Sequence, residues 1–553
     1  MVPRDRTASW LAPRDSGNAL HRYAPVAVAF LLLAFFAQGY FSGLQKSLTW
    51  DAPLSIGGGY AILAWGDYDV YRGSPPLMQV LSAWSLYRSG PREPDEARWR
   101  ASFNPKLQLG VELTYLGGWT PERVAARARL PGLLLGTLLV GLIYAWGRAL
   151  LGIRAGLAVT LLAAFSPNLI AHSRVVAADL GCTVFMFAAV AAFWWASRTG
   201  ALGRWFLCGT FTGLALISKF TALLLGPIFV MLVCTVWLTR PETRDVRWLA
   251  RAAVPISAMS WLVIAVAYGF DLDLSFYRDG VSSIYPEFNS LSYTYLLGVP
   301  SVTSVWYYYL VAYVLKVPVP VLVLLLMASV GLVGGLWKQM GDAKGGHAGA
   351  GALESIELEN LLFVLIPPAA VIGVAFFDPA NVGLRRILPA LPFLLLFAGY
   401  AVRRAKSRSA HAVVASLLVW AVVAGAWIYP HHLSFFNVAA GGPEQGAYLL
   451  DDSNIDWGQD LPALAAWQST RPETEELRFR YFGTADWRAY GVRAVRFDMA
   501  DVTAPRPGTY AISVTELTAF RKLIVSGAPA IDWLTAFEPT ARAGHSIYIY
   551  EFR

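Results

Sequence analysis

Long apolar blocks separated by short polar stretches dominate the sequence up to about residue 430. Each block is close to the ~20 residues that a helix needs to cross the hydrocarbon core of a bilayer. We therefore expect an α-helical polytopic membrane protein. The pattern predicts about eleven transmembrane helices, at residues 24–44, 128–147, 155–171, 176–197, 205–219, 220–239, 251–270, 317–337, 359–377, 388–402 and 410–430.

After about residue 430 the pattern changes, because charged residues return and apolar positions alternate with polar ones over short runs. Alternation predicts strands, and the longer pieces between these runs have helical spacing. Residues 431–553 are therefore predicted to form a small α/β domain outside the membrane. The expected strands are 477–481, 495–497, 510–514 and 546–552, and the expected helices are 461–467 and 516–526.

The remaining segments flank the first apolar block. Residues 1–23 are predicted to be a cytoplasmic N-terminal segment, and residues 24–430 a membrane domain with a large first outer loop at 45–125. Two amphipathic pieces of that loop, 56–65 and 77–87, are expected to lie along the membrane interface, where a helix with one apolar face is stable.

Composition and charge agree with a membrane location. The chain is 56% hydrophobic and 15% charged, whereas soluble domains carry about 25% charged residues. The net charge of +8 comes with Lys and Arg concentrated in short loops. By the positive-inside rule these loops are cytoplasmic, which places the N-terminus inside and the C-terminal domain outside. Because membrane topology accounts for the position of the basic residues, a nucleic-acid partner is not expected.

Several ionisable residues lie next to the apolar blocks, where a charge is expensive and often functional. The predicted topology places all of them on the outer face. Cations there could bind a phosphate while an acid handles a proton. For each residue alone, ion pairing or interfacial placement is an equal alternative. The set is Asp51, His172, Arg174, Asp179, Lys219, Lys316, Arg385 and Arg386.

The same positions carry a resemblance to a known family. The most specific matches are Phe435-Phe436-Asn437, Gly441-Gly442-Pro443 and the run Asp452-Ser453-Asn454-Ile455-Asp456-Trp457-Gly458-Gln459-Asp460-Leu461. Earlier matches are Asp51 with Pro53, Gly59-Tyr60, Gly66-Asp67, Pro75-Pro76-Leu77, Ser166-Pro167, Asp179, Ser218-Lys219-Phe220, Lys316 with Pro318, and Gly383 to Pro389 with Pro392. Over residues 24–470 the chain resembles the polytopic GT-C glycosyltransferases that use a polyprenyl-phosphate-linked sugar. Among these it is most similar to the bacterial phospholipid-carrier-dependent branch, related to protein O-mannosyltransferases and aminoarabinose transferases.

The resemblance implies an inverting transfer of a sugar from a polyprenyl monophosphate to a lipid, glycan or protein acceptor. It also implies an extracytoplasmic reaction at a bacterial inner membrane. Asp51 and Asp179 would be catalytic, and Lys219, Lys316, Arg385 and Arg174 would bind the lipid phosphate. The supporting residues would be Asp67, Asp69, His172, Asp452 and Asp456.

Three departures from the family pattern affect this expectation. The glutamate that usually follows the aspartate is Ala52, the expected histidine is Ser55, and Gly73-Ser74 replaces a Glu-His pair. Where relatives use these groups for a divalent metal, this chain is expected not to, and no cofactor is predicted. Cys182, Cys208 and Cys234 have no metal-ligand spacing.

The departures leave an alternative open: a catalytically altered relative that binds the lipid carrier, or a transporter. A transporter would be expected to have repeated halves and helices broken near the bilayer midplane, and the sequence indicates neither.

The Asp-Ser-Asn-Ile-Asp run has two interpretations as well. It could cover the cavity or contact the acceptor. The structural alternative, which we favour, is that Asp452, Asn454 and Asp456 form Asx-turns and the N-cap of the next helix, with Trp457 packed on the membrane domain. His431 and His432 are expected at the interface rather than on a metal.

Overall fold

The computed structural model describes residues 18–289, 294–344, 351–471 and 476–553. Helices predominate, as the sequence predicts. Those of the membrane domain are α1 (Asn18–Gly43), α2 (Ala52–Trp65), α3 (Pro76–Arg88), α4 (Glu96–Arg100), α5 (Pro105–Val111), α6 (Pro121–Leu151), α7 (Ile153–Ala164), α8 (Pro167–Ser173), α9 (Asp179–Thr199), α10 (Leu202–Leu216), α11 (Leu225–Thr239), α12 (Val246–Ala267), α13 (Ser275–Asn289), α14 (Tyr308–Lys316), α15 (Val319–Lys344), α16 (Gly351–Ala375), α17 (Leu391–Arg404) and α18 (Arg408–Trp427).

Among the described residues, eight segments are long and apolar enough to cross a membrane. They contain α1, α6, α9, α11, α12, α16, α17 and α18. The predicted helical membrane fold is confirmed, with eight such segments in the described residues against about eleven predicted. Helix α10 has only 15 residues, which is short for a bilayer core.

The other two predicted spans are bent. Helices α7 and α8 meet at 58°, and α14 and the first part of α15 meet at 116°. Pro167 and Pro318 lie at these two breaks, where the missing N–H and the fixed φ of proline interrupt a helix. The described residues therefore contain eight candidate spans, or ten if each bent pair is one span. The sequence pattern did not indicate these two bent pairs.

The loop between α1 and α6 folds into four helices, α2 to α5. Helix α2 is buried on every side from Ala52 to Ala61, so the prediction that it lies on the membrane interface with one apolar face is wrong. Glycines permit this close packing. A Cβ on Gly57 would come within 2.8 Å of the backbone nitrogen of Gly110, so neither α2 nor α5 tolerates a side chain there.

The C-terminal domain contains a five-stranded sheet in the order β4-β3-β5-β7-β6. All four predicted strands are present, together with the edge strand β6 that the sequence pattern did not indicate. A separate hairpin, β1 and β2, lies in the outer loop of the membrane domain. The bounds are β1 (Thr294–Leu296), β2 (Val299–Ser301), β3 (Leu477–Arg480), β4 (Val495–Arg496), β5 (Gly508–Ser513), β6 (Ala541–Ala543), β7 (Ile547–Phe552), α19 (Leu461–Ser469), α20 (Val514–Val525) and α21 (Trp533–Ala536).

The sheet is covered on both faces. Phe479, Ala511 and Ile549 belong to a core that also contains Leu461 and Leu464 of α19. The opposite face packs α20 and α21, and its buried side chains join the apolar core of the membrane domain. The central strand β5 is accordingly buried on both faces from Thr509 to Ser513. The domain is therefore packed against the membrane domain.

Backbone hydrogen bonds also join the two parts. Ser47 N donates to Gln459 O (2.9 Å), and Trp50 N donates to Trp457 O (3.0 Å). Elsewhere, Leu297 N in the hairpin turn donates to Leu449 O (2.7 Å). The bond between Trp50 and Trp457 lies beside the first candidate acid, because Trp50 immediately precedes Asp51.

A buried ion triad lies at the end of α9 opposite Asp179. Glu359 Oε1 lies 2.8 Å from Arg198 Nη2 and 3.1 Å from Arg240 Nη2. The Glu359 side chain is 1% exposed. The triad joins α9 and α16 to Arg240, which follows α11. Helix α9 has 21 residues, so the triad is about 30 Å from its N-terminus.

Replacing Glu359 by glutamine is expected to lower the free energy of unfolding by about 1.5–3 kcal/mol, because two guanidiniums that are only 19% and 20% exposed lose a charged hydrogen-bond partner. Thermal unfolding of the purified protein in detergent measures this effect. Glu357→Gln is the matched control, since its pair with Arg403 is exposed and is expected to contribute at most about 1 kcal/mol. Equal losses for the two variants would contradict the assignment.

Candidate active site

Two acids and two cations from four separate segments meet at one end of the helical bundle. Asp51 precedes α2, and Asp179 is the first residue of α9. Lys219 follows α10, and Arg385 lies in the 3-10 turn Leu384–Ala390 that leads into α17. Arg385 Nη1 lies 2.7 Å from Asp51 Oδ2 and 3.9 Å from Asp179 Oδ2. Lys219 Nζ donates to Asp179 Oδ1.

These four residues form a continuous chain of ion pairs in the order Asp51, Arg385, Asp179 and Lys219. We call this chain the relay. The side chains of Asp51 and Arg385 are 19% and 18% exposed, and that of Lys219 is 21% exposed. Because the cluster is largely shielded from water, its charges interact more strongly. Its remaining exposure leaves access for a substrate. The sequence predicted that Asp51, Lys219 and Arg385 would share one site, and the structure brings them together.

Two predicted phosphate-binding cations are engaged elsewhere. Lys316 is 1% exposed; its Nζ donates to Leu433 O (2.7 Å) and to Asn454 O. Arg174 donates to Ser42 O (3.0 Å) and Pro430 O (3.1 Å). Both side chains thus tie chain segments together through backbone carbonyls, and neither joins the relay. Burial lowers the pKa of Arg174 to about 9.

The first-loop acids named as supporting residues also lie outside the relay. Asp69 pairs with Arg72 at 2.7 Å, and Asp67 lies 3.8 Å from Arg100. His172 is buried, and its ring meets that of Trp457 edge-on at 6.3 Å.

The signature segment at residues 452–460 packs beside the relay. Asp456 Oδ1 accepts from Gly458 N at 3.1 Å, which is the predicted Asx-turn. The predicted N-cap is wrong: α19 is preceded by Asp460, whose carboxylate makes no cap bond. Asp460 instead accepts from Lys46 Nζ (2.5 Å) and Ser546 Oγ (2.8 Å). Lys46 lowers the pKa of Asp460 to about 2, against the effect of burial.

The two adjacent histidines differ in exposure. His432 is fully buried, whereas the His431 side chain is 25% exposed and its Nδ1 lies 2.6 Å from Lys46 Nζ. Burial lowers the pKa of His431 to about 4.

Trp457 makes a contact in the candidate site that the sequence did not predict. It packs on the membrane domain as predicted, beside Ala171 and Val175. Its ring also lies under the guanidinium of Arg385, with Cζ 4.3 Å from the ring centroid. No local pattern in the sequence pairs these two residues.

The buried carboxyl of Asp456 is expected to make stability depend on pH. Burial raises its pKa to about 8, above the ordinary value of ~3.9. The folded state therefore holds a proton that the unfolded chain releases between these pH values. The contribution of Asp456 to the free energy of unfolding is fully present below pH ~4. It decreases by up to ~1.4 kcal/mol per pH unit as the pH rises to about 8.

Thermal unfolding between about pH 5 and 9 tests this expectation, because this interval covers most of the range between the unfolded and folded pKa values of Asp456. The unaltered chain should lose stability as the pH rises, and Asp456→Asn should show a flatter profile. Parallel profiles for the two proteins would contradict the assignment.

The residues do not fit a divalent metal. Among the residues that the structure describes, no group of three or more His, Cys, Asp or Glu side chains is spaced to hold an ion. Asp51 is engaged by Arg385, and the following position is Ala52, which is fully buried. We therefore derive no step through a metal.

Taken together, the apolar helices define an integral membrane protein with a polar site at one end of its bundle. The sequence profile of the dolichyl-phosphate-mannose-protein mannosyltransferase family matches residues 122–264. This match confirms the resemblance to the polyprenyl-phosphate-sugar-dependent GT-C glycosyltransferases that the sequence indicated. The matched range includes Asp179 and Lys219 of the relay. Among curated proteins, none matches the sequence.

Solved structures of two proteins are similar to the chain. ArnT from Cupriavidus metallidurans in the apo state is 15% identical, with a TM-score of 0.47, and the match covers 96% of this chain and 98% of that one. The same protein bound to undecaprenyl phosphate has the same identity and TM-score, with 96% and 97% covered. An Archaeoglobus fulgidus oligosaccharyltransferase tethered with an acceptor peptide is 12% identical, with a TM-score of 0.47, over 82% of this chain and 57% of that one.

Proposed function

We propose that this protein is a glycosyltransferase that moves a sugar from a polyprenyl-monophosphate-linked donor to an acceptor on the extracytoplasmic face of the membrane. The observation that carries the proposal is the relay of Asp51, Arg385, Asp179 and Lys219 at one end of the helical bundle. The family match over residues 122–264 supports the same class of reaction.

In the proposed reaction Asp51 is the base. Its carboxylate takes the proton of the acceptor hydroxyl or amine, whose heavy atom forms the new bond to the anomeric carbon. The bond between that carbon and the phosphate oxygen breaks, and the carrier monophosphate leaves with its electron pair. One displacement of this kind inverts the anomeric centre. A positioned carboxylate of this type contributes about 10²–10⁴-fold to a rate.

The departing phosphate requires cations, and Arg385 is the first candidate. A guanidinium carries five N–H donors. Within the described structure, Arg385 uses Nη1 for Asp51 and Nε for Val382 O at 3.4 Å, which leaves donors for a phosphate. Lys219 would add the second charge from the far side of Asp179. Asp179 would hold both cations in place, a role that we propose alongside its predicted catalytic one.

The carboxylate of Asp51 and a phosphate compete for the same guanidinium. When the donor phosphate engages Arg385, the ion pair with Asp51 weakens, and the carboxylate is free to accept a proton. The relay thus links donor binding to the availability of the base. Charge-assisted bonds to phosphate are strong enough for this competition, because they are often bidentate.

A specific observation favours a second candidate, a carrier-binding relative without transfer activity. Asp51 is neutralised by Arg385, and the polar neighbours typical of the family are replaced by Ala52 and Ser55. In that case the relay would hold the lipid phosphate, and no sugar would be transferred.

Two measurements separate the candidates. The purified full-length protein is incubated with synthetic polyprenyl-monophosphate sugars, and release of the carrier monophosphate is followed. Glycolipids and glycoproteins of a deletion strain are compared with those of the parent by mass spectrometry. We expect carrier release and a missing glycan. Carrier binding without either result would favour the second candidate, and absence of binding would overturn both.

A further inference from the structure

We propose that Trp457 is a positioning residue for the relay, through which the C-terminal domain holds Asp51 and Arg385 together. The inference rests on the proposed function of that site. Trp457 lies in the signature segment after the last membrane span. Its ring contacts Arg385, and its backbone bonds Trp50, the residue before Asp51.

The contact with Arg385 is made by the indole ring. The guanidinium carbon of Arg385 lies 4.3 Å from the ring centroid, a distance at which a cation is attracted to the face of tryptophan. Trp457 is 2% exposed, so this attraction acts in a largely desolvated place. The ring restricts one side of the guanidinium, while Asp51 and Asp179 contact its edge.

The link toward Asp51 runs through the backbone of the preceding residue, Trp50. Trp50 N donates to Trp457 O at 3.0 Å, and Trp50 O accepts from Thr484 Oγ1 at 2.8 Å. Both backbone polar groups of the residue before Asp51 are therefore held by the C-terminal domain. The approach of Asp51 to Arg385 follows from this attachment, because α2 begins at the next residue.

The conformation of Trp457 is in turn set within its own segment. Trp457 N donates to Gln459 Oε1 at 2.7 Å, and Gln459 Nε2 donates to Ile455 O at 2.8 Å. Against the ring lie Ala171, Val175 and Ala177, which come from the end of α8 and the turn before α9. The indole thus bridges the segment before Asp179, the segment before Asp51 and the guanidinium between the two acids.

A leucine at this position tests the role of the ring. Trp457→Leu keeps an apolar side chain and the backbone bond to Trp50 but removes the aromatic face. We expect the KM for the donor to rise about tenfold, since Arg385 is no longer held, with a smaller change in kcat. Trp457→Phe keeps an aromatic face and should restore most of the donor affinity. Binding of a synthetic polyprenyl monophosphate gives the same comparison without turnover.

Trp533→Leu is the matched control, because Trp533 is also fully buried but packs within the C-terminal domain, against Phe520 and Tyr550. If Trp457 only stabilises the fold, both leucine variants should lower the melting temperature and leave the donor KM of the folded protein unchanged. That result would overturn the inference, as would a phenylalanine variant no better than leucine.

A double-mutant cycle shows whether Trp457 acts through Arg385. Carrier affinity and melting temperature are measured for Trp457→Leu, Arg385→Gln and the combination. We expect the leucine change to have less than about a twofold further effect on affinity when Arg385 is already absent, and the melting-temperature losses to be less than additive. Fully additive effects would overturn the inference. Absence of carrier binding by the unaltered chain would instead overturn the proposed function, while the melting-temperature cycle would still test the contact.

Discussion

Asp51→Asn is expected to lower sugar transfer by about 10²–10⁴-fold while the protein remains folded, because asparagine cannot take the acceptor proton. Affinity for the carrier monophosphate is expected to rise. The variant removes the carboxylate that competes for Arg385 Nη1 at 2.7 Å and that repels an incoming phosphate. Turnover and carrier binding, measured on the same preparation, separate these two effects.

Asp69→Asn is a suitable control for this experiment. Asp69 is a first-loop acid in an exposed pair with Arg72, so its loss should leave transfer close to the unaltered rate. Full transfer activity in Asp51→Asn, with an intact fold, would overturn the catalytic assignment. A fall in carrier affinity would contradict the proposed competition.

Arg385→Gln is expected to weaken carrier binding and transfer together, each by about 10–100-fold. The reason is the loss of a charge-assisted bond to the phosphate, which contributes about 1.5–3 kcal/mol. Arg385→Lys should have an intermediate effect, because lysine retains the charge but not the planar fork that bonds carboxylate and phosphate at once.

The adjacent Arg386 provides the control. Its side chain lies 3.8 Å from Asp378 rather than in the relay, so Arg386→Gln should change carrier affinity much less. Equal losses for the two arginines would indicate a general electrostatic effect of the outer face. Unchanged carrier binding in Arg385→Gln would show that Arg385 does not bind the carrier phosphate.

Several features of the fold were predictable because their signals are local. A bilayer span is visible as a continuous apolar run, and a strand as a short alternation. The positions of the spans and of four strands in the C-terminal sheet follow from this. The break at Pro167 was missed because the apolar run continues through it, and the break at Pro318 was missed because it lies at the start of a predicted span.

The site was partly predictable in the same way. Asp51, Asp179, Lys219 and Arg385 were candidates because charges beside apolar spans are unusual. Lys316 and Arg174 satisfied the same criterion, but their side chains bond backbone carbonyls in other contacts. A sequence shows that a charge needs a partner, and it does not show which partner the fold provides.

The sequence by itself therefore determined the membrane class, the helical architecture, the C-terminal α/β region and the set of polar residues from which a site could be built. Only the tertiary structure decided that Asp51 pairs with Arg385, 334 positions away, and that Trp457 lies against that pair. The physical reason is that hydropathy acts over a few consecutive residues. An ion pair, or a cation over an aromatic ring, forms only when two side chains lie within a few ångströms of each other. Here these side chains come from distant segments that only the packed bundle brings together.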